Sequence, residues 1–345
     1  MTAGARTGGE RVRASRPLLV RSARAPGDGS GRGSGRGSGS GSGDHRADAT
    51  TTVVLGERFD LRGSLGPIQL GRFDPTTRLD DGQLWWATHT VDGPGTLHLA
   101  RVGPEIVARA WGPGAADLIG RVDALLARHD RPAALVAVHP AVQRAQHSLP
   151  GLRLSATGAI YHAALPAVLG QRVTGREAVQ QWSSLCRLLG ATAPGPVDLR
   201  LPPEPDVLAA RPYWWFHRLG IERKRADALV RVARHADRLE AAVPLGLTEV
   251  YRRLHAIVGI GAWTSAVVCG IALGDPDAVP VGDYHLPNLV SWTLAGEPRG
   301  DDARMLELLA PYVGQRGRVL RLLARAGPWA PKFGPRQPIR SIAGY

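Results

Sequence analysis

The sequence predicts a mainly helical protein, in which a small α+β unit precedes the helical part and a disordered tail precedes both. Three observations predict it. Residues 1–50 are a low-complexity run of glycine, serine and arginine. Alternation of apolar and polar residues at strand spacing is confined to 51–148. From about Ala159 the alternation stops and apolar residues recur at helical spacing. The expected units are therefore 1–50, 51–148 and 149–345, and a 345-residue chain that is 43% apolar has material for two cores.

The tail holds 12 glycines, and its nine arginines against four acids give it +5. Its one apolar run, Leu18-Leu19-Val20, is too short for a signal peptide. Glycine and serine make it a flexible arm. The whole chain carries +13, with 41 arginines and only two lysines, Lys224 and Lys332. Guanidinium groups bind phosphate in a bidentate fork, so this balance points to a polyanion such as nucleic acid. Two cysteines, Cys186 and Cys269, exclude a disulfide framework, a four-cysteine zinc site and a cysteine-ligated iron–sulfur cluster. They fit a reducing cytoplasm.

Within the α+β unit, strands are expected at 52–55, 84–90, 96–101 and 107–111, with a turn at 92–95. Leu118, Val122, Leu125 and Leu126 then share one helical face. In the helical part, 227–239 is expected as a helix with Leu229, Val232 and Ala233 inward. Arg231, Arg234 and Arg238 form one basic stripe, and Arg318, Arg321 and Arg325 repeat that spacing. Such stripes are solvated faces or phosphate contacts. Residues 254–274 carry no formal charge but are interrupted by Gly259, Gly261 and Gly270, which reads as a buried helical hairpin and not a membrane span.

That hairpin carries the chemistry. Tyr251, Leu254 and Val258 are expected on the apolar face of a first helix, and a second helix starts at Trp263. Between them Val258-Gly259-Ile260-Gly261 makes a tight turn, with both glycines free to take positive φ. Unbonded main-chain N–H groups beside a helix N-terminus form a sequence-independent phosphate site. Twenty residues after Trp263, Asp283 precedes a helix whose first turn holds Pro287. The helix dipole favours an ionised carboxylate there.

Taken together, these motifs resemble the helix–hairpin–helix DNA glycosylase superfamily, and within it the bacterial 3-methyladenine DNA glycosylase II type. The resemblance runs from about 150 to 325. It adds Val168-Leu169-Gly170-Gln171, similar to the family's Ile-Leu-Gly-Gln motif, and Leu219-Gly220 with Lys224, similar to its Leu-Gly-x-x-x-x-Lys-Ala region. That type also carries an N-terminal α+β domain shaped like the TATA-binding protein.

The resemblance implies roles. Asp283 is the catalytic aspartate. Trp263 and Tyr284 belong to the base pocket, with Trp214 and Trp215 as further walls or as core. Gly259, Ile260, Gly261 and Thr264 grip the DNA backbone. Gln171 and Arg172 stand at the wedge that fills the gap left by a flipped base. The main-chain carbonyls of His255, Ile257 and Ile260 hold a structural monovalent cation, and catalysis requires no cofactor. The implied partner is double-stranded DNA with damaged bases, met by a monomer in the cytoplasm at the bacterial nucleoid, with no membrane. The implied reaction is hydrolytic release of alkylated purines without strand cleavage, because the family's lyase lysine is replaced by Trp263.

This chain departs from the pattern at three places. The wedge carries Arg172 where the type enzyme has leucine, Val267 replaces a pocket tyrosine, and no tryptophan stands near Arg321 or Leu322. The competing readings are a non-catalytic DNA-binding protein and a glycosylase for another damaged base.

Overall fold

A computed structural model describes residues 46–55 and 58–331. The expected tail, apart from its last residues, and Lys332 lie outside the described residues. Five strands form one antiparallel sheet: β1 (Ala49–Val54), β2 (Thr77–Leu79), β3 (Gln83–Thr90), β4 (Gly93–Val102) and β5 (Glu105–Trp111). Their order is β1-β5-β4-β3-β2. The first strand begins at Ala49, inside the stretch assigned to the tail. Strand β2 was not expected, because three residues are too few to show a period. Register places Leu84 opposite Leu99, and Leu99 opposite Ala108, on one face. That face is buried against Leu118, Val122 and Leu125 of the short helices Ala115–Gly120 and Val122–Leu125.

The helical part is built around Ile160–Leu169, which is buried along nearly its whole length. Gly175–Leu189, Arg223–Arg234 and Ala262–Ala272 pack around it in one core that contains Leu165, Trp182, Leu229 and Val268. A second core joins Pro140–Ser148, Leu286–Ala295, Asp302–Leu309 and Arg316–Ala326. Among the described residues, no helix is long and apolar enough to cross a membrane.

Two expectations change. The helix at 227–239 is divided at His235, whose Nδ1 lies 2.8 Å from the Arg231 carbonyl, so Arg238 belongs to a separate helix, Ala236–Glu240. The stripe of Arg318, Arg321 and Arg325 is neither solvated nor free for phosphate. Arg318 is 4% exposed and forks onto Asp130, with Nη1 3.1 Å from Oδ2. Arg321 donates to the carbonyls of Gly63 and Ser64 at 2.7 and 2.9 Å, and Arg325 lies 3.6 Å from Asp60. Charge spacing reveals a shared helix face but not what covers it. Here the face is covered by the α+β part, and the stripe joins the two halves.

A buried polar chain makes a second connection. Asp74 accepts from the Leu70 and Thr76 amides at 2.7 and 2.9 Å and from Trp182 Nε1 at 3.1 Å. The Thr76 hydroxyl lies 3.3 Å from His162 Nε2, and His162 Nδ1 lies 3.0 Å from the Thr88 hydroxyl on β3. Burial pushes the Asp74 carboxyl up to about 6 and the His162 imidazole down to about 3.

These shifts set opposite pH dependences. A histidine held neutral stabilises the fold above its unfolded pKa near 6.5, and that stability is lost as pH falls toward about 3. Asp74 acts the other way: its stabilisation is full below the unfolded value of 3.8 and fades as pH rises through about 6. His98, also lowered, to about 4, adds to the histidine side. The urea midpoint is therefore expected to fall from pH 6.5 to pH 4, and to fall less in His162→Gln. Equal falls in both proteins would remove His162 as a cause.

Candidate active site at the helical hairpin

The helix Leu247–His255 buries Val250 and Leu254, and Ala262–Ala272 returns against Ile160–Leu169. Between them Ile257 and Ile260 are buried, and the Ile260 N–H donates to the Ile257 carbonyl at 3.0 Å. The amide of Ile260 is thus used inside the turn and is not offered outward. The N–H groups of Gly259 and Gly261 have no hydrogen-bond partner among the described residues. Arg231 Nη1 reaches the Val258 carbonyl at 3.2 Å and places a guanidinium at the same tip. Open amides beside a guanidinium make an anion site. Val258 is 72% exposed, so it stands on the tip and not on the apolar face expected for it.

The two glycines differ. Gly259 has φ +100°, and a Cβ there would sit 3.0 Å from Ala228 Cβ. Gly261 has φ −102° and does not use the positive-φ freedom of a glycine, and a Cβ there would meet nothing within 4 Å. The fold requires Gly259, whereas at Gly261 neither the backbone angle nor the neighbouring atoms exclude a side chain.

Gln171 braces this turn. Its Nε2 donates to the Gly259 carbonyl at 2.9 Å and to the Thr264 hydroxyl at 2.8 Å. Thr264 is 2% exposed, so it holds the hairpin from within and does not face a phosphate. Gln171 is likewise committed to the hairpin, which leaves Arg172 as the projecting residue of the expected wedge. Arg172 is exposed, and its φ of +56° is a left-handed conformation that costs a non-glycine residue about 1–2 kcal/mol. Behind the loop, the buried Arg225 donates to the Leu169 carbonyl at 2.9 Å and to Gln181 Oε1 at 2.6 Å, and lies 3.3 Å from Glu177. Sequence reading missed this support. Its only trace is Glu177 and Gln181 at i, i+4 on one helix.

Asp283 sits where expected, before Leu286–Ala295 with Pro287 in the first turn. Its Oδ1 accepts from the His285 and Leu286 amides at 2.8 and 2.9 Å, which caps that helix. Its Oδ2 accepts from Trp263 Nε1 at 3.0 Å. A carboxylate offers about four lone-pair sites, so these three donors leave one site on the half-buried group for an incoming molecule.

The other expected pocket aromatics make no ring contact with Trp263 among the described residues. Tyr284 is 83% exposed, with its ring against His285. The 3₁₀ turn Tyr213–Leu219 buries Phe216, holds Trp215 beneath Arg211 and Arg218, and leaves Trp214 exposed. No hydrogen bond or ring contact among the described residues joins Trp214 or Trp215 to Trp263 or Asp283. The His255 side chain turns to Ser265, with Nε2 2.8 Å from its hydroxyl. The main-chain carbonyls of His255, Ile257 and Ile260 are hard oxygen donors suited to an alkali cation. Ile257 keeps a second lone pair beyond its bond to Ile260. No cluster of three His, Cys, Asp or Glu side chains that could hold a metal occurs among the described residues.

The glycine contrast gives an expected outcome. Gly259→Ala forces a side chain into the left-handed region against Ala228, at a cost of about 1–2 kcal/mol in urea unfolding. Gly261→Ala is expected to leave the unfolding midpoint within error of the parent. Equal losses in both variants would mean that the turn is held by something other than the Gly259 backbone.

No family model matches the chain. Over 130 residues it is 29% identical to DNA-3-methyladenine glycosylase 2 of Escherichia coli (strain K12), a match that covers 37% of this chain and 46% of that protein. In structure it is similar to the 3-methyladenine DNA glycosylase of Archaeoglobus fulgidus, with TM-score 0.66, 15% identity, and coverage of 79% of this chain and 97% of that one. It is also similar to the 8-oxoguanine glycosylase/lyase of Clostridium acetobutylicum in complex with double-stranded DNA, with TM-score 0.60, 13% identity, and coverage of 81% and 97%. The hairpin braced by Gln171, the aspartate capping the next helix and the sheet in front agree with these likenesses: the chain shares the fold of these glycosylases, spans about half the length of the curated relative it matches, and resembles the helix–hairpin–helix DNA glycosylase superfamily and its 3-methyladenine DNA glycosylase II type.

Proposed function

We propose that this protein is a monofunctional DNA glycosylase that flips an alkylated purine out of duplex DNA and releases it by hydrolysis, as a cytoplasmic monomer working on the nucleoid. The observation that carries the reading is the Asp283 carboxylate, held by two amides and the Trp263 indole beside a hairpin with open amides. A base inside a duplex is out of reach, so the nucleotide must leave the stack. The hairpin tip and Arg231 grip phosphate, and Arg172, already projecting, fills the gap by stacking.

A purine alkylated at a ring nitrogen is cationic and leaves as a neutral base when the C1′–N bond breaks and its electron pair goes to the base nitrogen. The sugar is left with oxocarbenium character. The free lone pair of Asp283 stabilises that charge and orients a water whose oxygen bonds to C1′, its proton passing through the carboxylate to solvent. Trp263 fixes the carboxylate through its N–H and offers an indole face to a cationic base. A lyase step needs an amine nucleophile. Lys224 is exposed on Arg223–Arg234 and no lysine lies between Val258 and Asp283, which supports plain hydrolysis. The carbonyls of His255, Ile257 and Ile260 would hold a monovalent cation that stiffens the turn.

Asp283→Asn tests the assignment, because asparagine still caps a helix but supplies no charge. Single-turnover base release from a lesion-containing duplex is expected to fall about 10²–10³-fold, with duplex binding retained and no covalent complex trapped by borohydride in either protein. Release at the parent rate in a folded variant would move the chemistry away from Asp283.

A further inference from the structure

The outer face of the sheet carries a second set of side chains that base excision does not use. Facing positions on neighbouring strands line up Arg78, Trp85, His98, Arg109 and Thr50 across β2, β3, β4, β5 and β1. The rings of Trp85 and His98 stack with centroids 3.8 Å apart and planes 13° apart, and Trp85 also stacks with Trp111 at 5.4 Å. The turn closed by the Thr192–Arg200 bridge covers part of this face, with Leu199 and Leu201 packed on Ala87. Beside it remains a cavity of about 640 Å³ lined by Arg46, Asp48, Trp85, His98, Arg109 and Trp111. That is the size of a small-molecule site.

Its chemistry is specific. His98 is 8% exposed, and Nε2 lies 3.0 Å from Gln83 Oε1, while Nδ1 has no hydrogen-bond partner among the described residues. Burial, and next the charge of Arg109, hold the imidazole down to about 4, so at neutral pH it is uncharged and stacks as an aromatic ring. Asp48 is engaged by the Gly112 amide at 2.7 Å. Arg46 and Arg109 make no ion pair among the described residues, so the rim is cationic.

We propose that this cavity binds one nucleotide unit of an unpaired nucleic-acid strand, the base on the edge of the Trp85–His98–Trp111 stack and the phosphate between Arg46 and Arg109. A paired duplex hides its base faces, whereas an unpaired strand offers them to aromatic platforms. The net charge of +13 favours a strand over a neutral ligand. The site stands independently of the excision reading.

Binding of fluorescently labelled hexadeoxyadenylate to the full chain tests it, with an abasic strand of equal length and deoxyadenosine monophosphate as competitors. Arg109→Glu, on an exposed strand position, is expected to weaken the strand about tenfold or more, and the abasic strand to compete about tenfold less well. Arg46→Glu, at the sheet edge, is expected to act in the same way. Base release from a short lesion duplex should stay at the parent rate in both variants, so a failure of excision would not register here. Deoxyadenosine monophosphate competing as well as the strand would support the same chemistry with a free nucleotide as the occupant. Unchanged strand binding in both variants would overturn the site, and equal competition by the abasic strand would overturn base recognition.

Discussion

The Asp283 carboxylate is the point at which two helices are fixed to each other. One oxygen closes the N-terminus of Leu286–Ala295, and the other takes the indole N–H of Trp263 from the first turn of Ala262–Ala272. Neither contact can be moved without moving the other. An ion-pair partner would pin the group more tightly but would neutralise the charge that the proposed reaction uses. Neutral donors hold its position and leave the charge available. Every other feature of the site is placed relative to this junction: the hairpin precedes Trp263 in the chain, and Gln171 joins the hairpin to the loop after Ile160–Leu169.

Flexibility is rationed along that path. Gly259 is locked by its left-handed φ and by Ala228, Gln171 is locked by two acceptors, and Arg225 locks the loop end from beneath. Arg172, exposed and in a left-handed conformation, is the one strained residue in the series. Strain persists only where the surroundings over-determine it, and here they do so at a position facing outward. The α+β part contributes from a distance. Its carbonyls receive Arg321, and Asp130 receives Arg318, so the helix Arg316–Ala326 is held as an interface and not as a DNA-facing stripe.

Much of this was legible in the residues because some positions have few alternatives. Two glycines at i and i+2 inside an uncharged stretch permit little besides a tight helical turn, and Asp283 ahead of Pro287 marks a helix start. Other features had no local signature. Strand β2 is three residues long. Arg318 and Arg231 look identical in sequence, yet one is buried against Asp130 and the other rests on the Val258 carbonyl. Thr264 and Ile260 lie within the motif, but burial turns them inward. Trp214, Trp215 and Phe216 are adjacent and share an aromatic composition, while the 3₁₀ turn sends them in three directions. Periodicity specifies which side chains share a face; tertiary packing decides what that face meets.

The central claim is that Asp283 and Trp263 form a hydrolytic base-excision site. Mass spectrometry of the small molecules freed from methylated genomic DNA tests it most directly, with oxidised and uracil-containing DNA run beside it. The account predicts free 3-methyladenine from the methylated DNA, with 7-methylguanine as the secondary product. Tight binding to all three DNAs with no base released from any of them would contradict it, and would make the protein a DNA-binding protein with this fold but without the chemistry.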